Sequence, residues 1–401
     1  MQFSDRISAI KPSFIREILK ASASPDIISF AGGLPNADHF PSQVLADITA
    51  KLMQDEAQDI LQYGQSEGEY QLRCQISQRY RDQQQMHVPV DNILITNGSQ
   101  QGFDLIGKTL INEGDGIVIE APAYLGAIQA LMMYQPQFLP VAIDENGLDI
   151  DALKQAMTKN PKIIYSVPNF QNPTGFSYSA DNRAAIASLV ESQPCLIIED
   201  DPYGDIRFDD ERPLSFYHYL PEQTILLGSF SKIISPGLRV GWMVAPPPIM
   251  EKLLIAKQAS DLHSNRLSQR MIAAFIADGF LSGHIQTLCE AYGQRCRRMG
   301  QILDDLFGDR IERSQPQGGM FMWVKFAESK SSRPIDTMAL FKQCYENGVA
   351  FVPGQPFFTD SNTDTENNSG SYNSLRLNYS NASLEQMQSG LERLYHSYLA
   401  I

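Results

Sequence analysis

A lysine amine becomes a nucleophile only where its proton is easily lost, and the stretch Leu226-Leu227-Gly228-Ser229-Phe230-Ser231-Lys232 sets one in such a place. The apolar run 224–227 predicts a strand covered on both faces, after which Gly228 breaks the chain into a loop. That loop carries the hydroxyls of Ser229 and Ser231, the ammonium of Lys232 and the guanidinium of Arg239. A lysine beside other cations and partly withdrawn from water has a lowered pKa and can attack a carbonyl. The hydroxyls and guanidinium suit a phosphate. Pyridoxal 5′-phosphate offers both an aldehyde and a phosphate. Taken alone, Ser-x-x-Lys reads better as a solvated surface loop with Arg239 in a salt bridge, so other residues must decide.

Several further stretches have the same form, a short apolar run ending in groups able to do chemistry. A strand at 92–96 leads through Asn97-Gly98-Ser99-Gln100 to a helix over 103–111. Free amides and the positive end of a helix dipole there suit an anion, and Ser99 can cap the helix at the same time. Tyr124 follows a strand at 116–120, where ligands bind in open α/β sheets; its ring is either a stacking partner for a flat ligand or core. The strand 162–167 ends in Pro168-Asn169-Phe170-Gln171-Asn172-Pro173-Thr174-Gly175, which fixes the Asn172 amide between proline and glycine. The strand 195–198 runs into Glu199-Asp200-Asp201-Pro202-Tyr203, read either as a solvated acidic loop or as a carboxylate that keeps a pyridine nitrogen protonated. The Asp-x-x-Tyr spacing selects Asp200 over Asp201. Arg376, in the apolar run 374–379, needs a carboxylate partner, from the protein or from a ligand.

These strings together resemble the pyridoxal-phosphate-dependent aminotransferases of fold type I, in the group of aspartate, aromatic, kynurenine and 2-aminoadipate aminotransferases, and they occur in that family's order from Gly33 to Arg376. The resemblance implies that Lys232 is joined to the cofactor aldehyde and that Ser229, Ser231 and Arg239 hold the phosphate with Gly98, Ser99 and Gln100. It implies that Tyr124 stacks on the ring, Asp200 pairs with the pyridinium, and Asn172 and Tyr203 meet the phenolic oxygen. Lys232, Asp200 and Tyr203 would be catalytic. Arg376 would grip the substrate α-carboxylate with Asn172, the amide of Gly33 would lie close by, and Arg16 would meet a side-chain carboxylate or simply be solvated. Tyr63 would cross to the phosphate of the other subunit, which makes a homodimer with shared sites. The implied activity is transfer of the amino group of an L-amino acid to a 2-oxo acid by a ping-pong route, with broad or 2-aminoadipate, aromatic or aliphatic specificity. The alternatives are a non-catalytic effector domain that binds the cofactor, or another reaction of it such as β-elimination or decarboxylation. The chain begins about 30 residues before Gly32-Gly33, a length too short for a winged helix.

Positioning these residues calls for a large framework, and 401 residues, 43% hydrophobic and 19% charged, supply one. The expected fold is α/β: a large domain over 41–289 with a mostly parallel mixed sheet flanked by helices, and a smaller α/β domain over 290–401 joined by the segment 1–40. Further expected elements are helices at 13–21, 40–61, 149–159, 180–191 and 334–346, and strands at 27–30, 137–143, 320–326 and 349–352. A strand at 240–245 would close the large sheet. Pro246-Pro247-Pro248 would interrupt the chain before helices running through 307, and 359–373 would form a polar surface loop. A net charge of -14 argues against nucleic acid. No apolar run reaches the roughly 18 residues of a membrane span, and the N-terminus has no signal-peptide centre, so a cytoplasmic enzyme is expected. The five cysteines show no Cys-x-x-Cys, and neither they nor the histidines have metal-ligand spacing.

Overall fold

The computed structural model describes residues 3–8, 24, 26–209, 212–327, 335–359 and 372–401. The expected helix at 13–21 and Arg16 lie outside them, as do most of the expected loop at 359–373 and the start of the helix expected at 334.

Among the described residues fourteen strands form three sheets. In chain order they are β1 (Ile28–Ser29), β2 (Ile93–Thr96), β3 (Gly116–Ala121), β4 (Gln137–Asp144), β5 (Gly147–Leu148), β6 (Ile163–Ser166), β7 (Leu196–Asp201), β8 (Thr224–Ser229), β9 (Gly241–Val244), β10 (Ile311–Arg313), β11 (Phe321–Phe326), β12 (Val349–Ala350), β13 (Val352–Pro353) and β14 (Ser374–Asn378). The eight-stranded sheet has the order β2-β9-β8-β7-β6-β3-β4-β5. The pairs among β4, β3, β6, β7 and β8 are parallel, while β9 runs antiparallel to both β8 and β2. Two reversals restore the direction, so β2 points the same way as β8. The turns after β2, β3, β6, β7 and β8 therefore all open at one edge of the sheet. This α/β architecture with a mostly parallel sheet is the expected fold class.

Continuous apolar runs such as Ile-Leu-Ile-Thr in β2 are buried throughout because helices cover both faces. Capped helices fill the layers: Asp149 accepts from the amides of Asp151 and Ala152, Ser179 from that of Asn182, and Ser383 forms a capping box with Gln386. A four-stranded sheet of order β10-β11-β14-β13 and the parallel pair of β1 with β12 make the smaller unit, which takes both its N-terminal and C-terminal parts from the ends of the chain. The 28-residue helix Phe280–Phe307 passes position 290 unbroken.

Three local expectations are corrected. Gly228 does not end its strand; it lies within β8 opposite Trp242, and a Cβ there would sit 2.2 Å from the indole. Its role is to leave room for a ring. β9 is interior and the edges are β2 and β5, because a second reversal lets β2 add beyond it. The proline run does separate the strand ending at Val244 from the next helix, as expected: Pro246 caps the helix Pro247–Asp261 and Pro247 begins it, where its missing N–H would have had no partner. The single strand expected at 349–352 is split between two sheets at Phe351.

Candidate active site

The turns at the open edge surround a cleft of about 470 Å3, lined by loops from the large sheet and by Gly33, Phe321, Phe357 and Arg376 from the smaller unit. At its floor, Gly98 caps the helix Ser99–Leu110 with φ 75 and no side-chain cap. Ser99 is thus the first helical residue rather than the cap, since Gly98 takes the non-helical position. A side chain at Gly98 would also strike the Arg239 guanidinium, whose Nη2 would be 2.6 Å from the new Cβ. Arg239 itself donates from Nη2 to the Asn97 carbonyl at 3.0 Å. A cation and the unpaired amides of a helix start therefore share one turn. Ser229 and Ser231 face the same place, with the Ser231 amide donating to Ser229 Oγ at 3.1 Å, and Gln100 lines it too, its Nε2 donating to the Gly126 carbonyl at 3.3 Å.

Behind this turn is a buried lysine paired with a half-buried aspartate, a contact that sequence reading missed. Lys257 donates to Asp261 at 2.7 Å, and Asp261 Oδ2 accepts from Asn97 Nδ2 at 2.6 Å and Gln101 Nε2 at 2.8 Å. The available signal was a Lys-x-x-x-Asp spacing, which by itself describes any helix surface.

Asp200 stands at the next turn, still inside β7, because the strand runs on through Glu199-Asp200-Asp201 instead of yielding to a loop. Its Oδ2 accepts from the Tyr165 hydroxyl at 3.0 Å, whereas Oδ1 is buried with no partner. Burial pushes the Asp200 carboxyl up to about 7, against the pull of the Tyr165 hydrogen bond and of Lys232. Lys232 is shifted the other way, down to about 8, first by burial and then by Arg376 and Arg239, with Asp200 opposing. Its Nζ donates to the Gly33 carbonyl at 2.8 Å, so Gly33 meets the lysine through its oxygen.

Tyr124 lines the cleft just before the helix Leu125–Met132, and burial with the nearby Asp200 pushes its phenol up to about 12. Tyr203 is buried edge-on against Phe321 at 5.9 Å, and burial pushes its phenol upward as well. Arg376, in β14 between Trp323 and Val352, has no carboxylate partner among the described residues. Nη1 donates to Asn172 Oδ1 at 2.8 Å and Nη2 to the Ala31 carbonyl at 2.5 Å, while Nε is buried without a partner. Its guanidinium lies 4.2 Å over Phe321 and 5.2 Å from Phe357. Burial brings it down to about 10, with Tyr203 and Tyr124 holding it up. A buried, incompletely paired guanidinium with only neutral acceptors is ready for a ligand carboxylate.

Of the residues singled out from sequence, Gly33, Gly98, Ser99, Gln100, Tyr124, Asn172, Asp200, Tyr203, Ser229, Ser231, Lys232, Arg239 and Arg376 meet in this one cleft. Tyr63 does not. It is 77% exposed on the surface, edge-on to His263 at 5.8 Å. Arg16 is outside the described residues.

The donor set fits pyridoxal 5′-phosphate: an orphaned buried carboxylate oxygen for a pyridinium, an amine of lowered pKa for an aldehyde, and a glycine turn beside a guanidinium for a phosphate. Comparison with known proteins agrees. Residues 25–394 match the model of the family described as aminotransferase class I and II. The chain is 36% identical over 400 residues to aromatic-amino-acid aminotransferase 1 of Thermococcus litoralis, covering 98% of this chain and 93% of that one. The crystal structure of Pyrococcus horikoshii kynurenine aminotransferase with pyridoxamine phosphate (PMP) superposes with a TM-score of 0.91 at 34% identity, covering 99% and 97% of the two chains. That of the α-aminoadipate aminotransferase of Thermus thermophilus, complexed with N-(5′-phosphopyridoxyl)-L-leucine, gives 0.89 at 35% identity, again over 99% and 97%. This chain is a pyridoxal-phosphate-dependent enzyme that belongs to the class I and II aminotransferases.

Proposed function

We propose that Lys232 carries the cofactor and, once freed by the incoming substrate amine, moves the substrate's α-proton through its Nζ. When bound, pyridoxal 5′-phosphate supplies an electron sink for negative charge at the substrate's α-carbon. In this reading Asp200 holds a proton on the pyridine nitrogen through Oδ1, and Tyr165 keeps that carboxylate aimed. Ser229, Ser231, Arg239 and the Gly98-Ser99-Gln100 turn hold the phosphate. Tyr124 covers the ring, and Asn172 with Tyr203 meets its phenolic oxygen. Arg376 receives the α-carboxylate, and the Gly33 carbonyl holds the amine of Lys232 while it is free. A neutral amine is required for proton removal, and the lowered pKa of Lys232 supports that role near neutrality.

The observation that carries the reading is the arrangement around Asp200 and Lys232: opposite charges buried in one cleft, each with its pKa moved toward 7 to 8. Leu125, Phe321 and Phe357 give the cleft an apolar wall, which suits the aromatic amino acids in the name of one relative and the leucine adduct bound in the structure of another. We infer broad specificity for apolar and aromatic L-amino acids. Exposed Leu61, Tyr63 and Leu262 support a homodimer in which Tyr63 reaches the phosphate bound by the partner subunit. The test is a panel of amino donors with and without a 2-oxo acid. With the acceptor, turnover is expected to be continuous; without it, one equivalent of keto acid should form as the cofactor passes to its amine form. Continued keto-acid release without acceptor would point to elimination instead.

A further inference from the structure

Glu120, at the end of β3, is a buried carboxylate to which the proposed chemistry gives no task. Its Oε1 accepts from the Val167 amide at 2.8 Å and from the Tyr178 hydroxyl at 2.7 Å, and its Oε2 accepts from Gln171 Nε2 at 2.8 Å. Burial pushes it up to about 7 against the pull of those donors. Each neighbour supplies a proton, so the arrangement uses the carboxylate purely as an acceptor.

That acceptor sets the direction of the Gln171 amide. With Nε2 turned to Glu120 and to the Pro122 carbonyl at 2.8 Å, Oε1 faces Thr174 and accepts from its amide at 2.9 Å and its hydroxyl at 2.7 Å. The Gln171 backbone closes the same loop, its amide donating to the Phe176 carbonyl at 2.8 Å and its carbonyl accepting from the Gly175 amide at 2.6 Å. Between these ties stands Asn172, whose Oδ1 accepts from Arg376 Nη1 at 2.8 Å.

We propose that Glu120 is a positioning residue: its carboxylate orients the Gln171 amide and, through the 167–176 loop, holds Asn172 where it aims the Arg376 guanidinium at the substrate carboxylate. This rests on the reading of Asn172 and Arg376 given above. Substituting Glu120→Gln should break the chain of donors at a defined place. The Val167 amide can only donate, so the new oxygen must stay with it, and the new NH2 then confronts Gln171 Nε2. If Gln171 turns over, its own NH2 meets the Thr174 amide and its oxygen meets the Pro122 carbonyl. Either way a buried group is left unsatisfied inside the loop.

The experiment is a double-mutant cycle on the holoenzyme with Glu120→Gln, Asn172→Ala and both together. It reads the dissociation constant of 3-phenylpropanoate, a carboxylate with no amine to react, alongside the unfolding midpoint. Glu120→Gln is expected to weaken binding about tenfold, Asn172→Ala at least as much, and the pair no more than Asn172→Ala alone. Wild-type affinity in Glu120→Gln, or a full extra loss when it is added to Asn172→Ala, would overturn the proposal while leaving the reading of Asn172 intact. Wild-type affinity in Asn172→Ala would overturn that reading and this inference with it. If Glu120→Gln does not fold, Tyr178→Phe removes one donor at nearly constant volume. It should weaken binding about threefold, and that effect should vanish in the Asn172→Ala background; an undiminished effect there would overturn the proposal.

Discussion

Replacing Arg376 by lysine keeps a positive charge and removes the planar fork, so it isolates what geometry contributes to substrate binding. In the native site the guanidinium satisfies Asn172 Oδ1 at 2.8 Å and the Ala31 carbonyl at 2.5 Å, and it still has a buried Nε without a partner. A lysine ammonium at the end of a flexible stem can replace one of these directed contacts but cannot also face a carboxylate in a fixed plane. The loss is one charge-assisted hydrogen bond plus a buried acceptor left bare, together about 3 kcal/mol. That corresponds to about 150-fold in affinity. The assay is a half-reaction titration of Arg376→Lys with an aromatic amino acid, beside a matched amine that has no carboxylate. KM for the amino acid is expected to rise about 150-fold, reactivity of the simple amine to stay the same, and the affinity for pyridoxal 5′-phosphate to be kept. A KM within threefold of wild type, or an equal loss for both compounds, would refute the assignment of Arg376 to the α-carboxylate.

Other consequences can be checked with less effort. Lys232 is lowered from 10.5 to about 8, so its amine becomes neutral as pH rises through 8; the rate at which the cofactor-free protein takes up pyridoxal 5′-phosphate should rise with pH and reach its midpoint near 8, and a midpoint near 10.5 would contradict the burial argument. The same depressed value means that the unfolded chain holds more protons between about 8 and 10.5, so Lys232 carries a destabilisation that shrinks as pH rises across that window. Urea midpoints of the cofactor-free wild type and Lys232→Met should therefore diverge as pH falls toward 8, with the methionine variant the more stable. Gly228→Ala should cost about 1–3 kcal/mol in unfolding free energy, since its Cβ would lie 2.2 Å from the Trp242 ring in a fully buried strand; an unchanged urea midpoint would show that the indole moves freely.

Where a reactive group follows an apolar strand, the site could be read along the chain. Lys232, Asn172 and Asp200 each stand at the carboxyl end of such a run, and the shared direction of β6, β7 and β8 then brings them together. Gly228 misled because glycine as a breaker and glycine as a gap for a neighbour's ring look alike until Trp242 is set opposite it. Tyr165 carried no signal at all. It is one tyrosine in a buried run, and only the register of Tyr165 against Ile198 puts its side chain on the same face as Asp200, two residues further on. Glu120 was hidden because its partners Val167, Gln171 and Tyr178 are distant in sequence, and Lys257 because its four-residue spacing to Asp261 looks like that of any helix surface. Tyr63 shows the opposite case: a motif visible in sequence whose partner, in the proposed dimer, lies on another chain.

The account turns on Lys232 as the residue joined to the cofactor. Borohydride reduction of the holoenzyme followed by peptide mass mapping tests this directly. A phosphopyridoxyl group on the peptide containing Lys232, absent from Lys232→Ala, is the predicted result; the same group on any other lysine, or none in a protein that still transaminates, would contradict it.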